Sequence, residues 1–267
     1  KFPRIVSYLP MAHIAARAGD HYQSIYRVGQ IFPVPVLEDM RDALPTIKPS
    51  VFLAVPRVWE RFKGGLQAKI EENPKKDLID KAIANGLEKV DYEQRGESVP
   101  LGIKIKDKVF AKLVFSKFKE GLGIVDTEYF VTAAAPMNKD VHRWFHAIGI
   151  DITEIYGMTE DTGPATIGVP GNAAESFSKK LKVDGIEIPS VLNPIGKVGI
   201  PIPGTEVKVM DDGELCIKGN HVAQGYYKSD EQTAETFDED GWLHTGDLAE
   251  IDSEGYVKII GRKKEIL

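Results

Sequence analysis

The stretch that decides the fold is EYFVTAAAPMNKDVHRWFHAIGIDITEIYGMTE, residues 128–160. Residues 129–132 are aromatic or β-branched and predict a strand, and the small residues 133–136 predict a tight turn after it. Residues 138–148 predict a helix, and residues 151–156 predict a second strand. Strand, helix and strand in this order indicate a parallel sheet covered by helices.

The same pattern occurs towards the beginning of the chain. Residues 31–36 and 51–55 are short and rich in β-branched residues, and residues 37–44 between them predict a helix that Pro45 closes. Three further helices are predicted at 57–73, 75–90 and 105–118, with a polar turn at 91–100. We interpret residues 62–118, approximately, as a mostly helical insertion.

The pattern changes after residue 195. Gly and Pro separate short alternating segments at 206–210, 213–218 and 256–260, which predict antiparallel strands. We therefore expect an α/β fold: parallel-sheet layers with covering helices over residues 1–195 and a small β-rich subdomain over residues 196–261. Residues 168–194 show no clear periodicity and are interpreted as a surface loop or ordered connector.

Composition excludes several classes of protein. The 267 residues include 34 basic and 40 acidic side chains, and the net charge of -6 argues against a nucleic-acid-binding protein with a basic face. A single cysteine, Cys216, excludes a disulfide within the chain and disfavours a cysteine-based zinc site. No apolar run reaches the roughly 20 residues of a membrane span, and no signal peptide is visible.

The residues after the second strand of the deciding stretch suggest a ligand site. Ligands of open α/β sheets bind beyond the carboxyl ends of strands, where Tyr156-Gly157-Met158-Thr159-Glu160 lies. Gly157 would let a flat base approach the backbone, the Thr159 hydroxyl suits a phosphate oxygen, and the Glu160 carboxylate suits Mg²⁺. Taken alone, the pentapeptide favours a strand-to-turn junction in which Thr and Glu cap a helix.

Three segments together resemble the adenylate-forming superfamily, which includes acyl-CoA synthetases, firefly luciferase and adenylation domains. They are Ser7–Ile14 (SYLPMAHI), Ile155–Glu160 (IYGMTE), and a third that runs from Gly225-Tyr226-Tyr227 through Trp242–Leu248 (WLHTGDL) to Gly261–Glu265 (GRKKE). They occur in the order and approximate spacing of that superfamily, and the chain resembles the long-chain acyl-CoA synthetases within it. The helical insertion favours these over short-chain or aryl synthetases.

The resemblance implies a role for each matching residue. Tyr156 would lie beside adenine, Thr159 would contact phosphate, Glu160 would hold magnesium, and Asp247 would bind the ribose hydroxyls with help from Arg262. Lys264 would be the hinge to a C-terminal domain, which residues 262–267 would begin. The full nucleotide-binding set that it implies is Ala134, Ala135, Pro136, Glu154, Ile155, Tyr156, Gly157, Thr159, Asp247, Arg262 and Lys264.

Two further residues match the resemblance at the acyl end of the site. His13 would join Thr159 and Glu160 as a catalytic residue, because relatives place this histidine near the acyl carbon of the substrate. Trp59 would close a fatty-acid tunnel as a gate. The residue types alone leave a structural histidine and a core tryptophan as alternatives.

The implied reaction has two steps. A fatty-acid carboxylate attacks the α-phosphate of ATP, and coenzyme A then takes the acyl group and releases AMP, with Mg²⁺ as the metal. Alternatives are an acyl-AMP ligase or reductase adenylation domain that passes the acyl group to a carrier protein, and an inactive nucleotide- or acyl-binding fragment. We expect a cytoplasmic protein and leave membrane association and a homodimer open.

The resemblance also implies parts that these residues do not include. The superfamily's phosphate loop would precede Lys1, and the C-terminal domain with its second lysine would follow Leu267. We therefore expect residues 1–267 to be the central part of a longer enzyme and to be inactive on their own.

Overall fold

A computed structural model of the chain describes residues 2–171 and 189–266. These residues form two compact units, one comprising residues 2–153 and 170–171 and the other residues 154–169 and 189–266. Most of the predicted connector, residues 168–194, lies outside the described residues. The domain boundaries predicted after residues 195 and 261 stay predictions.

The first unit is built on four parallel strands. They are β1 (Arg4–Ser7), β2 (Gln30–Pro33), β3 (Val51–Leu53) and β4 (Tyr129–Thr132), in the order β2-β1-β3-β4. Ile5 lies opposite both Ile31 and Val51, and Phe52 lies opposite Phe130. Parallel pairing requires a crossover between strands, and helical segments separate each strand from the next. The predicted parallel sheet with covering helices is confirmed.

Eight α-helices belong to the described part of this unit. They are α1 (Ile14–Ala16), α2 (Gln23–Arg27), α3 (Met40–Ile47), α4 (Pro56–Glu71), α5 (Lys76–Gln94), α6 (Leu101–Phe110), α7 (Ser116–Leu122) and α8 (Lys139–Ala147). A 3₁₀ turn, Leu37–Asp39, leads into α3. Wider π-helical turns occupy Arg17–Tyr22 and Ala111–Phe115. Helices α4 to α7 occupy the predicted insertion.

Two helices run past the ends predicted for them. Pro45 does not close α3, which continues to Ile47 and ends where Lys48 takes a φ of 49°. A proline there removes one helical hydrogen bond, and burial of Leu44 and Ile47 holds the last turn in place. Helix α5 continues to Gln94, and Asp91, predicted to begin a turn, lies within the helix and pairs with Arg143 of α8 at 2.9 and 2.6 Å.

The second unit contains two groups of antiparallel strands. One comprises β5 (Ile152–Tyr156), whose residues from Glu154 onward belong to this unit, with β6 (Thr166–Ile167) and β7 (Ile200–Pro201). The other has the order β11-β10-β9-β8, formed by β8 (Thr205–Val209), β9 (Glu214–Gly219), β10 (Leu243–Ile251) and β11 (Val257–Arg262). Short helices α9 (Asp230–Thr236) and α10 (Lys263–Ile266) complete the described residues. The predicted antiparallel strands are confirmed.

An irregularity in β10 places one predicted site residue. His244 lies opposite Cys216 and Leu248 lies opposite Glu214, so β10 advances by four residues over a length in which β9 advances by two. Gly246 allows this bulge because its φ is 71°, in the region that favours glycine. Asp247 therefore lies inside a bulged strand, and its side chain is buried.

No helix in the described parts of the chain combines the length and apolarity that a transmembrane span needs.

Candidate functional site

The loop after β5 folds back on itself. One carboxylate oxygen of Asp161, Oδ1, accepts hydrogen bonds from the backbone N–H groups of Met158 and Gly163, both at 3.0 Å. A Cβ atom on Gly157 would lie 1.6 Å from the carbonyl oxygen of Gly163, so only glycine fits there. The sequence attributed the need for Gly157 to an approaching base, whereas the close approach in the structure is made by the loop's own backbone.

Asp161 is a site residue that the sequence analysis missed. Its side chain is fully buried, and its second oxygen, Oδ2, has no hydrogen-bond partner among the described residues. Burial, with the nearby charge of Glu160, raises the pKa of Asp161 to about 6, although the two backbone hydrogen bonds oppose the shift. An Asp side chain often forms a turn by accepting a hydrogen bond from the backbone N–H two residues ahead. This preference is the sequence signal that could have identified Asp161.

Glu160 is held by a tyrosine from a distant part of the sequence. Its Oε1 atom accepts a hydrogen bond of 2.7 Å from the hydroxyl of Tyr226, and its backbone carbonyl accepts one of 2.7 Å from Ala223. Burial, and then the bond to Glu160, raise the pKa of Tyr226. Tyr226 lies in the third segment of the resemblance, but the sequence gave no reason to pair it with Glu160.

Three residues predicted to surround the nucleotide converge in the second unit. The Tyr156 hydroxyl donates to Asp247 Oδ2 at 2.6 Å, and Arg262 Nε lies 3.0 Å from Asp247 Oδ1. These residues end β5, occupy the bulge of β10 and end β11, and Asp247 and Arg262 are register partners. Burial, followed by the bond to Asp247, raises the pKa of Tyr156. The arrangement presents a fixed carboxylate beside an exposed guanidinium.

Thr245 holds the backbone of Asp247 in place. Its hydroxyl donates to the carbonyl of Leu215 at 2.7 Å and accepts the backbone N–H of Asp247 at 3.1 Å. Gly246 donates its N–H to Glu214 Oε1 at 2.8 Å. The Thr-Gly-Asp sequence is therefore a unit: the threonine ties down the bulge, the glycine makes the turn, and the aspartate projects from it.

The remaining predicted residues of β5 and its loop differ in exposure. Glu154 is buried within the strand, and Ile155 pairs with Ile167. Thr159 is exposed, and its hydroxyl makes no hydrogen bond among the described residues. Tyr156 packs its ring beside Ala165 and Leu243, with its hydroxyl on Asp247. Stacking of Tyr156 on adenine stays a prediction.

The small-residue turn lies in the first unit, directly after β4. Ala134, Ala135 and Pro136 are all exposed. Ala134 has a φ of 73°, which favours glycine. The predicted tight turn is therefore present, with an alanine in the left-handed conformation.

His13 and Trp59 also lie in the first unit and have structural roles there. His13 caps α1, because its Nδ1 atom accepts the N–H of Ala15 at 3.1 Å. Trp59 is fully buried, and its indole N–H donates to the Ala54 carbonyl at 3.1 Å. Its ring packs edge-on against Phe52 and other phenylalanines. The predicted catalytic and gating roles of these two residues stay predictions.

The predicted hinge residue, Lys264, is exposed on α10 and makes no ion pair within the described residues. Its neighbour Lys263 is the lysine that acidic side chains hold, with Nζ 2.6 Å from Asp212 and 2.9 Å from Glu214. The two carboxylates raise the pKa of Lys263. A fixed lysine therefore immediately precedes the predicted pivot.

An apolar cavity of about 660 Å³ lies within the first unit, between α3, α4, α5 and α7. Its walls include Met40, Leu66 and Ile79. Gly65 of α4 also faces the cavity, and a Cβ atom added to Gly65 would have no other atom within 4 Å. Small-molecule sites have volumes of about 300–1,000 Å³. Trp59 does not line this cavity.

No group of three or more His, Cys, Asp or Glu side chains suited to a metal ion occurs in the described residues. Glu160 therefore offers a single carboxylate. Magnesium in nucleotide sites is held by one or two carboxylates together with substrate phosphates, so a lone carboxylate fits a metal that arrives with ATP and does not fit an all-protein metal cage.

Comparison with known proteins agrees with this geometry. The model of the AMP-binding enzyme family matches residues 2–227. The chain belongs to this family. It is 34% identical over 99% of its length to a protein of Mycobacterium tuberculosis named putative fatty-acid–CoA ligase fadD11, and 34% identical over 98% to the rat long-chain-fatty-acid–CoA ligase ACSBG2. It spans only 43% and 38% of these relatives. The predicted family is confirmed.

Solved structures of the same fold include the N-terminal domain of FACL13 from Mycobacterium tuberculosis. That structure is 23% identical, has a TM-score of 0.61, and matches 97% of this chain and 51% of its own. The o-succinylbenzoate CoA synthetase of Bacillus subtilis, solved with the acyl-adenylate intermediate OSB-AMP, has a TM-score of 0.60 at 16% identity, over 98% of this chain and 41% of its own. These likenesses confirm the α/β fold with its antiparallel sheet.

Proposed function

We propose that the protein containing this chain is an AMP-forming long-chain fatty-acid–CoA ligase. The observation that carries the proposal is the convergence of Tyr156, Asp247 and Arg262, three residues from separate strands that the family resemblance assigned to one nucleotide. The relatives' names, which describe fatty-acid–CoA ligases, support the same substrates: ATP, a fatty acid and coenzyme A.

In this proposal the second unit binds the adenosine part of ATP. A ribose diol can donate to Asp247, which has lone pairs left after accepting from Tyr156 and Arg262, since a carboxylate has about four acceptor sites. Arg262, whose side chain is 56% exposed, remains able to reach a ribose or phosphate oxygen. Thr159 can donate its unengaged hydroxyl to a phosphate.

Glu160 is the residue proposed to hold Mg²⁺, which would neutralise phosphate charge while the fatty-acid carboxylate attacks. Tyr226 would position the carboxylate of Glu160 through the hydrogen bond that its hydroxyl donates. A Glu160→Gln variant of the full-length enzyme is expected to require more Mg²⁺ for pyrophosphate exchange, and Tyr226→Phe should show a smaller change in the same direction. Unchanged exchange at every Mg²⁺ concentration in Glu160→Gln would argue against the assignment.

The acyl chain is proposed to occupy the apolar cavity of the first unit. Each buried methylene contributes about 0.8 kcal/mol, so an apolar cavity favours long substrates over short ones. The cavity between α3, α4, α5 and α7 supports the long-chain form of the proposal. Its test is the pair of glycine substitutions described in the Discussion.

Lys264 is proposed as the hinge between the two half-reactions. Because Lys263 is fixed by Asp212 and Glu214, backbone rotation can begin at the next residue. Lys264→Pro should slow thioester formation while pyrophosphate exchange continues, since proline fixes φ near −65°. Lys264→Ala, which keeps the backbone free, is the matched control, and equal losses in both half-reactions of the proline variant would contradict the hinge.

A further inference from the structure

The segment from α6 to the following π-helical turn exposes a row of large apolar side chains. Leu101, Ile105, Val109 and Leu113 recur every four residues and retain 71%, 55%, 48% and 58% of their accessible surface. Four-residue spacing places them along one side of a helix. A row of this kind in a globular protein normally faces the core.

The opposite side of α6 is the one that packs on the protein. Ile103 is buried, and its carbonyl accepts a hydrogen bond of 3.3 Å from Asn85 of α5. Asp107 forms an ion pair of 3.1 Å with Lys89, also of α5. These contacts fix the rotation of the helix, so the apolar row cannot turn inward.

Lysines flank the apolar row. Residues 101–119 contain six lysines and one aspartate, within a chain whose net charge is -6. Five of the lysines are exposed and make no ion pair among the described residues: Lys104, Lys106, Lys108, Lys112 and Lys117. The one aspartate, Asp107, is already neutralised by Lys89. We call this apolar row with its five lysines the lysine-rich face.

We propose that the lysine-rich face docks on an anionic lipid bilayer. A helix with an apolar stripe and lysines beside it lies in the membrane interface, with the stripe inserted by about 5–10 Å. The free lysines suit the anionic headgroups of such a surface. The positive charge lies beside the apolar row along its length, which suits an anionic lipid surface that can bind both kinds of side chain at once. Leu113 and Lys117 also line the cavity proposed for the acyl chain, whereas Ile105, Lys106 and Lys108 do not, so variants at these three residues test the face separately from the proposed reaction.

Vesicle sedimentation of the full-length protein without ATP tests the proposal. The protein is expected to sediment with phosphatidylcholine vesicles that contain about one-third phosphatidylserine, and weakly with phosphatidylcholine alone. Ile105→Glu should lower the partition by at least about tenfold, whereas Ile105→Trp should raise it, because tryptophan favours the membrane interface. Lys106→Gln and Lys108→Gln should each lower it about fivefold.

Matched controls separate this face from general charge. Lys81→Gln and Lys139→Gln remove exposed lysines elsewhere in the first unit and should leave the partition within about twofold, as exposed charges off the membrane surface are screened. Equal sedimentation of wild type and Ile105→Glu would overturn the proposal, as would absence of wild-type binding. A dimer in size-exclusion chromatography that Ile105→Glu dissociates without vesicles would also overturn it, because the face would then be a protein interface.

Discussion

The hydrogen bond between Tyr156 and Asp247 should couple the stabilities of β5 and β10. We consider three variants of the full-length protein: Tyr156→Phe, Asp247→Ala and the double substitution. The two side chains lie 91 residues apart in sequence and 2.6 Å apart in space, and Asp247 is only 7% exposed. A double-mutant cycle isolates the energy that they share.

The structure sets the expected magnitudes. A buried hydrogen bond to a charged group contributes about 1.5–3 kcal/mol, which is the expected cost of Tyr156→Phe. Asp247→Ala also loses the ion pair with Arg262, whose exposure limits that contribution to about 0–1 kcal/mol, giving about 1.5–4 kcal/mol in all. Because both substitutions remove the same bond, the double variant should cost about as much as Asp247→Ala alone. The coupling energy is then about 1.5–3 kcal/mol.

Hydrogen exchange measured by mass spectrometry is the suitable assay, because it reports opening of individual strands within a large protein that need not unfold in one step. Peptides that cover β5 and β10 should lose protection together in each single variant, while those of β1 and β3 remain unchanged. Steady-state kinetics supply a second reading. Asp247→Ala should raise the KM for ATP more than that for fatty acid, and Tyr156→Phe, which keeps the carboxylate, should raise it less.

A coupling energy below about 0.5 kcal/mol would refute this reasoning, since distant, independent sites are additive within that range. Loss of protection in β10 with none in β5 would also refute it. Arg262→Ala is the control: it removes a partner of Asp247 that is 56% exposed, and should cost no more than about 1 kcal/mol.

Three further predictions follow from the packing. Gly157→Ala should abolish pyrophosphate exchange and expose the loop to proteolysis, because a Cβ would lie 1.6 Å from a backbone oxygen; wild-type exchange would contradict the self-closed loop. Gly65→Phe should reduce activity on long-chain acids more than on short ones, since Gly65 faces the cavity, whereas Gly64→Phe, on the same helix with equally open space, should leave the ratio unchanged; equal effects would argue against the cavity. Burial, and then the neighbouring histidine, lower the pKa of His146 to about 4, whereas the pKa is about 6.5 in the unfolded chain. Between pH 6.5 and pH 4 the unfolded state therefore binds a proton that the folded state does not. The free energy of unfolding should fall by about 2–4 kcal/mol over this range. Urea titrations at pH 7 and pH 4 should show a smaller loss for His146→Gln; identical losses would rule out this histidine as a cause.

Much of the fold could be predicted because its local signals agree with its packing. The strand predicted at 129–132 is β4 to the residue, and the helix predicted at 138–148 is α8 with one residue fewer at each end. In this stretch the alternation of β-forming and helical residues coincides with burial. At Pro45 local preference and burial disagree, and burial of Leu44 and Ile47 prevails.

The site was predictable only in part. The family resemblance identified Tyr156, Asp247 and Arg262, which the structure brings together. Tyr226 and Asp161 were missed for different reasons: the first contacts Glu160 from 66 residues away, and the second acts through backbone groups that only the folded loop presents. Periodicity carries no signal for either kind of contact.

The bulge of β10 makes this strand sensitive to length in a way that its neighbours are not. Upstream of the bulge Leu243 is buried, and downstream Ala249 is buried, with the extra residues absorbed between them. Deleting Gly246 would shift the pairing register of every later residue of β10 by one. Ala249 would then face outward and Glu250 would face the core. A one-residue insertion or deletion between His244 and Leu248 would displace the Asp247 carboxylate and turn the side chains of the rest of the strand to the opposite face.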